Sequence, residues 1–162
     1  MLLLDAATTT TNLYGWLRLV HGYWRWMVVL AAVVVLVRAI RARGWTAGDE
    51  RASVLFVAAV DIQVLLGLTL YFGFSPYWTA THTAFAATMK NQGARFFGVE
   101  HETAMLLAFV VAHVGRVVSK RAPESRKQRI LRTTLLVFFA LVAWAIPWPW
   151  RAFGRPLLRL SL

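Results

Sequence analysis

The chain of 162 residues is 59% hydrophobic and only 15% charged, whereas a soluble domain usually carries about 25% charged residues. This composition indicates one integral membrane domain over residues 1–162. The net charge of +11 does not favour nucleic-acid binding, because the basic residues cluster at the ends of apolar stretches, as they do in membrane proteins. The sequence has no cysteine, which excludes disulfides, thiolate metal sites and thiol catalysis.

Four apolar stretches predict an all-α, antiparallel bundle of four membrane-spanning helices. The first span covers residues 14–40 and the second covers residues 52–73. Asp61 and Gln63 lie near the middle of the second span. Their side chains point about 200° apart around a helix, so they are not expected to serve one site.

The connection after the second span, residues 74–94, carries His82 and is long enough to contain a short interfacial helix. It is either a lid over a site or a surface helix that rests on lipid headgroups. The third span, residues 95–118, holds both His101 and His113. Ionisable residues inside a spanning helix are costly and are usually paired or functional, so this helix is the first candidate to carry a site.

The face of the third span that carries His101 also carries small residues. Ala108, Ala112 and Gly115 follow His101 at helical spacing. Small side chains allow the close approach of another helix or of a flat ligand. The sequence therefore predicts close packing along this face.

The distribution of basic residues predicts the orientation of the bundle. The hinge between the third and fourth spans, residues 119–129, reads SKRAPESRKQR, and arginines also follow the first span. The fourth span, residues 130–148, ends in IPWPWR, and the tail 152–162 is expected to form a short amphipathic surface segment. Basic loops remain in the cytoplasm, so both termini and the 74–94 connection are expected outside it, although the arginines of the tail oppose this orientation.

Two histidines on parallel helices are candidate haem ligands. His21 lies about seven residues, or roughly 10 Å, inside the first span, and His101 lies about six residues, or roughly 9 Å, inside the third. Imidazoles at one depth are suited to hold a haem iron from opposite sides. Arg18 and Arg95 lie toward the outer ends of these helices, where they would pair with the propionates. Gly67 on the second span would let the flat ring approach the backbone.

The alternative interpretation of these residues needs no cofactor. Two interfacial histidines can hydrogen-bond to their surroundings, and Arg18 can pair with Glu100 or Glu102. A metal site formed by Glu100, His101 and Glu102 is excluded, because adjacent side chains on a helix point about 100° apart and the spacing is not HExxH. The sequence shows no nucleophile–base pair, phosphate loop or dinucleotide fingerprint.

Arg25 and Asp61 are expected to face each other within the membrane. Each side chain alone would be costly there, so the pair is interpreted as structural, with a proton relay as the alternative.

His113 lies about 18 Å deeper than His101 and has no second histidine at its depth. It is expected to bond to backbone, water or a headgroup, and a single haem is therefore predicted.

Five motifs, distributed over all the predicted spans, carry a family resemblance. They are HGYWRW at 21–26, DIQVLLGLTLYF at 61–72, RFFGVEH at 95–101, SKR at 119–121 and IPWPWR at 146–151. Together they resemble a family of small four-helix bacterial membrane proteins of Bacteroidetes type that are labelled cytochrome-b-like. The resemblance implies haem ligation by His21 and His101. The chain departs from the family at Asp61, where members often have histidine.

These observations predict a b-type cytochrome-like electron-transfer protein or subunit in the bacterial inner membrane. It is expected to bind one haem b, with His21 and His101 as metal ligands, and to exchange electrons with quinone or with a larger membrane complex. One alternative is a cofactor-free accessory subunit of a respiratory or photosynthetic complex. Another is a small proton- or solute-conducting bundle that uses Asp61, Gln63 and Arg25. An electron carrier or subunit is favoured over a stand-alone enzyme.

Overall fold

The computed structural model describes residues 2–41 and 44–158, with side chains described from residue 12, and the predicted all-α fold is confirmed. The helices of the described ranges are α1 (Leu2–Arg41), α2 (Ala47–Phe74), α3 (Pro76–Thr83), α4 (Phe85–Lys90), α5 (Gln92–Arg95), α6 (His101–Arg121) and α7 (Glu124–Ala145). Within the same ranges, four helical stretches are long and apolar enough to cross a membrane: Asn12–Arg41, Ala47–Phe74, Gln92–Arg121 and Glu124–Ala145. The chain is therefore a multi-pass membrane protein.

The outward surface of these spans is apolar. Leu55, Leu65 and Leu136 point away from the bundle with 67%, 64% and 63% of their surface exposed. Soluble monomers rarely display large contiguous apolar patches, whereas lipid tails are the natural surroundings of such side chains. This surface is compatible with contact to the bilayer.

The spans form two antiparallel hairpins that pack side by side. Helix α1 packs chiefly on α2, and α6 packs chiefly on α7. The hairpins meet where α2 contacts α6 and where α1 contacts α7. Helices α1 and α6 therefore lie diagonally opposite each other and run parallel, so residues at one depth on them face the same central space.

A packed core fills the half of the bundle near the 119–129 hinge. Helix α1 contributes one row of buried side chains, spaced three or four residues apart: Val28, Ala32, Val35 and Ala39. Across from this row, the rings of Phe56 and Phe138 meet edge to face with their centroids 5.0 Å apart. This filled half anchors the helices whose opposite halves surround a cavity.

The face of α6 that carries small residues receives helix α7. Ala108 and Ala112 are buried. Gly115 lies so close to α7 that a Cβ atom there would overlap the side chain of Thr134. The prediction of close packing along this face is confirmed, and the element that approaches is a helix of the same chain.

The third span is a continuous helical stretch with one irregular turn. Helix α5 leads into a π-helical segment, Phe96–Glu100, which ends immediately before His101. Such segments hold an extra residue per turn and are frequent at functional sites. The Gly98 carbonyl in this segment accepts a hydrogen bond of 2.6 Å from the Tyr71 hydroxyl of α2. The segment thus sets the direction from which His101 enters the bundle.

The 74–94 connection contains the short helices α3 and α4 and most of α5. The ring of Tyr77 in α3 stacks on Phe97 with centroids 5.4 Å apart. Both rings border the central cavity. The connection therefore forms part of the cavity wall.

Polar contacts hold the span ends near the hinge. Thr46 caps the start of α2 and exchanges hydrogen bonds with Asp49 in a capping box. Asp49 also accepts a bond of 2.7 Å from Arg38 of α1. Glu124, at the start of α7, accepts the backbone N–H of Trp45 at 3.1 Å. These bonds join the loop after α1 to the loop before α7.

The fourth span differs from the predicted range of 130–148, because α7 begins at Glu124 and ends at Ala145. Proline disfavours helical backbone at the residue before it. Pro147 accordingly follows Ile146, which is extended with ψ at 129°. The basic hinge is correspondingly short, since the helix takes up most of it.

The described chain after Ile146, residues 147–158, is called the tail from here on, and it turns back across the open end of the bundle. The backbone N–H of Arg155 donates to the Pro147 carbonyl at 3.0 Å, which closes a loop at the end of α7. The described part of the predicted surface segment, residues 152–158, is irregular and partly exposed, and its end borders the cavity. Residues 159–162 lie outside the described residues.

Candidate functional site

A cavity of about 200 Å³ lies where the spans meet the tail. It is larger than the engineered cavity of about 150 Å³ that holds benzene in another protein. Its wall is mostly apolar, with polar side chains entering from several elements: Arg18, His21, Gln63, His101, Glu102 and Arg155. An apolar pocket with a few convergent polar groups is typical of a cofactor or small-molecule site.

The structure brings together most of the predicted site residues, since Arg18, His21, Gly67 and His101 all line this cavity. Arg95 is not among the lining residues. It instead donates a hydrogen bond of 2.6 Å to the Glu100 carboxylate on its own span.

The tail supplies a cationic side chain, that of Arg155, to the cavity. Arg155 lines the cavity, and its guanidinium carbon lies 3.9 Å from the centre of the Phe97 ring. A cation over an aromatic face is held by the ring quadrupole. Sequence spacing did not indicate Arg155, because the fold-back of the tail leaves no periodic signal.

One ring nitrogen of His101 forms a hydrogen bond, and the other forms none with the described residues. Its Nδ1 lies 2.7 Å from the Ala145 carbonyl oxygen. A carbonyl only accepts, so Nδ1 carries the hydrogen and Nε2 of the neutral ring presents a lone pair. Metal-bound histidines usually have this arrangement, with the second nitrogen bonded to a carbonyl or carboxylate.

The sequence explains why the Ala145 carbonyl is free to accept from His101. Helix α7 ends at Ala145, and the last carbonyls of a helix lack partners within it. The residue four positions later, Pro149, has no N–H to donate. The IPWPWR motif therefore leaves this acceptor facing α6, and the proline spacing was a signal that could have located it.

His21 lies against helix α2 on the other side of the cavity. The Gln63 amide nitrogen lies 3.2 Å from each of its ring nitrogens and 3.2 Å from its carbonyl oxygen. A Cβ atom at Gly67 would lie 3.3 Å from the imidazole Cε1. Gly67 thus gives the His21 ring room against the α2 backbone.

Buried polar atoms at the cavity lack partners in the described part of the chain. Gln63 Oε1 and Arg25 Nε are both buried without a hydrogen bond among the described residues. Buried polar groups are nearly always bonded in native proteins, and exceptions call for an explanation such as a bound group. These two atoms therefore support a polar ligand at this site.

Two arginines of α1, Arg18 and Arg25, line the cavity. Arg18 lies over the Tyr14 ring at 5.0 Å. Arg25 donates through Nη2 to the Leu157 carbonyl at 2.6 Å, which ties α1 to the tail. Glu102 also lines the cavity, and Glu100 is engaged by Arg95. Among the described residues, Arg18 forms an ion pair with neither Glu100 nor Glu102.

The predicted ion pair between Arg25 and Asp61 is wrong. Arg25 bonds to the tail, and Asp61 Oδ1 lies 3.1 Å from Nε2 of His113 on α6. Axial depth on α1 and α2 alone does not reveal the partners that the tail and α6 supply. The prediction that Asp61 and Gln63 do not share a site agrees with the structure, since Gln63 contacts His21.

His113 has both predicted and unexpected contacts. Its Nδ1 lies 3.0 Å from the Phe109 carbonyl one turn earlier on α6, which confirms the expected backbone bond. Asp61 is a partner that the sequence interpretation did not assign to it. The environment of His113 is thus distinct from that of His21 and His101, which line the cavity.

The histidine and acidic side chains of the described residues do not form a site for an isolated metal ion. Within the described ranges, no group of three or more His, Cys, Asp or Glu side chains is placed to hold one. Glu100 and His101 turn to different partners, which are Arg95 and the Ala145 carbonyl.

In comparisons with known proteins, no family model, curated protein or solved structure matches this chain.

Proposed function

We propose that this chain is a b-type cytochrome-like membrane protein or subunit that transfers electrons and binds one haem in the central cavity. The observation that carries the proposal is the convergence of His21 and His101 on one cavity from diagonal helices, with the His101 tautomer fixed by the Ala145 carbonyl. A haem iron takes only its axial ligands from the protein, and histidine is the commonest of them.

The side chains at the cavity fit the chemistry of a haem. His21 and His101 would be the ligands. Arg18 and Arg155 would neutralise the two propionates, in a mostly apolar wall that suits the porphyrin. Arg95 is the predicted cofactor-binding residue that does not line this cavity. The orphaned Gln63 Oε1 is explained if a bound group rearranges the contact between this amide and His21.

A bound haem would supply one-electron redox chemistry at the outer half of the membrane. His21 and His101 would hold the haem, the tail would exclude bulk water, and Arg18 and Arg155 would pair with the propionates. Quinone in the bilayer, or a neighbouring subunit of a larger membrane complex, is the proposed electron partner. The resemblance to small cytochrome-b-like bacterial proteins supports the same function and the bacterial inner membrane as its location.

The experiment that tests the proposal is a reduced-minus-oxidised absorption spectrum of the full chain purified in mild detergent from haem-supplied cells. We expect the sharp visible bands of a six-coordinate b-type haem, with a stoichiometry of one haem per chain. A protein that is folded and haem-free under these conditions would contradict the proposal. Its co-purification with a large complex would then support the accessory-subunit alternative.

We also propose that both termini lie outside the cytoplasm and that the 119–129 hinge lies inside. The hinge and the start of α7 are strongly basic, and basic loops are retained in the cytoplasm. A phosphatase reporter, which is active only outside, should be inactive when fused within the hinge and active when fused within the 74–94 connection. The opposite pattern of activities would reverse the orientation.

A further inference from the structure

Two ionisable side chains meet beside the cavity on the seam between α2 and α6. Asp61 Oδ1 and His113 Nε2 lie 3.1 Å apart, with 44% and 36% of their side chains exposed at the surface of the bundle. Both residues lie inside spans, where ionisable side chains are rare and are functional candidates by default. The proposed haem site uses neither of them.

The hydrogen-bond pattern of His113 determines how many protons this pair holds. Nδ1 lies 3.0 Å from the Phe109 carbonyl, so Nδ1 must carry a hydrogen. Nε2 of the neutral ring then presents a lone pair to the Asp61 carboxylate, and two acceptors at this distance repel each other. The contact becomes favourable when one further proton lies between them, carried either by His113 or by Asp61.

The membrane strengthens the need for a proton between Asp61 and His113. With the proton present, the pair has no net charge, whether it is an imidazolium with a carboxylate or a neutral ring with a carboxylic acid. Without the proton, it is an uncompensated carboxylate inside a span, which is costly in a low-dielectric environment. The geometry is therefore that of a site that binds a single proton.

Three arginines on the surrounding helices bond to partners other than this pair. On the same two helices, Arg116 of α6 donates to Glu50 of α2 at 2.6 Å, closer to the hinge. On α1, the side chain of Arg25 bonds to the tail and that of Arg38 bonds to Asp49. Helix α7 has no ionisable residue after Arg132.

The pair is also close to the cavity through its neighbours. The Phe109 ring lies 4.1 Å, between centroids, from the His113 ring and borders the cavity. On α2, Val60 and Gln63 border the cavity on either side of Asp61 in the sequence. A change of charge in the cavity therefore acts on the pair over a short path of protein with low polarity.

We propose that Asp61 and His113 form a proton-binding site beside the cavity, and that this site takes up one proton when an electron enters the cavity and releases it when the electron leaves. The proton comes from water and returns to water, so charge balances at each step. The proton site stands on the geometry of the pair alone, whereas its coupling to an electron rests on the proposed function.

Nuclear magnetic resonance of the full chain in lipid bilayers tests the proton site without reference to haem. With labelled histidine nitrogens and aspartate carboxyl carbons, we expect His113 Nε2 and Asp61 to share one proton under reducing conditions, the state in which the proposal places the proton on the pair. In the D61N variant, His113 should become a neutral ring with an unprotonated Nε2. His82 is an internal control, because its Nδ1 lies 2.8 Å from the Trp78 carbonyl and, in the described structure, it faces no carboxylate.

A wild-type ring with an unprotonated Nε2 beside an ionised Asp61 under reducing conditions would overturn the proton site. Should D61N fail to fold, H113Q provides the second variant, and its Asp61 carboxyl signal should then move away from that of the wild type. An unchanged Asp61 signal in H113Q would also overturn the proposal.

The coupling is tested by reducing the purified protein in weakly buffered solution with a pH-indicator dye. The wild type should take up protons as the haem is reduced, and D61N should lose most of this uptake while its haem bands remain. Equal uptake by both proteins would overturn the coupling. Absence of haem bands in the wild type would overturn the proposed function and the coupling together, while the magnetic resonance result would still decide the proton site.

Discussion

Replacing His101 with alanine is expected to abolish the haem absorption spectrum, and replacing His21 with alanine should do the same. Each substitution removes one of the two proposed haem ligands, and His101→Ala also leaves the Ala145 carbonyl without the ring N–H from which it accepts a hydrogen bond. A remaining single histidine would hold haem weakly, so the purified variants should contain less than about a tenth of the wild-type haem, the loss expected for roughly 1.4 kcal/mol or more of binding free energy.

The matched control for these variants is His113→Ala. His113 lies on the same helix as His101, but it contacts Asp61 and the Phe109 carbonyl rather than the cavity. Its replacement should leave the haem bands at wild-type intensity. Loss of haem in His113→Ala, with retention in the other two variants, would show that the ligands have been assigned to the wrong histidine.

Replacing Gly115 with alanine should destabilise the fold strongly, although the same change within a helix usually stabilises it. The new Cβ would lie 2.7 Å from the Cβ of Thr134. A rotation of the Thr134 side chain cannot move its Cβ, so α6 and α7 would have to separate. Overpacking of this kind costs about 1–3 kcal/mol, and the α6–α7 contact is among the most extensive in the bundle.

Gly73→Ala, near the end of α2, provides the control because nothing lies within 4 Å of a Cβ at that position. Alanine is favoured over glycine in a helix by about 1 kcal/mol, so the control should unfold at an equal or higher temperature in detergent while Gly115→Ala unfolds at a lower one. Thr134→Gly combined with Gly115→Ala should recover part of the loss. Equal stability of the two single variants would contradict the packing described for α6.

The architecture was predictable because hydropathy and helical spacing are local properties of the sequence. The apolar stretches located the spans, and the small face that follows His101 predicted the close approach of another helix or a flat ligand, which in the structure is α7 at Gly115. The common depth of His21 and His101 followed from counting residues along two parallel helices. Both residues do line one cavity, so the part of the site formed by the spans was accessible from the sequence.

The contacts of the tail were not predictable in this way. Residues 147–158 form no regular element, and their path depends on an extended Ile146 and on the bond between Arg25 and the Leu157 carbonyl. The same bond explains why the predicted pairing of Arg25 with Asp61 is wrong. Because Arg25 donates to a carbonyl of the tail, the carboxylate of Asp61 contacts His113 of α6 instead.

The bond between Arg25 and Leu157 also has a consequence for the order of assembly. These residues are 132 positions apart in the chain, so during translation the helix that carries Arg25 enters the membrane long before its partner has been made. Until that partner arrives, the cavity stays open on the side that the tail later covers. The entrance to the cavity is therefore widest during biogenesis, after α7 has joined the bundle and before the tail docks, and a group that binds in the cavity would enter most readily at that stage.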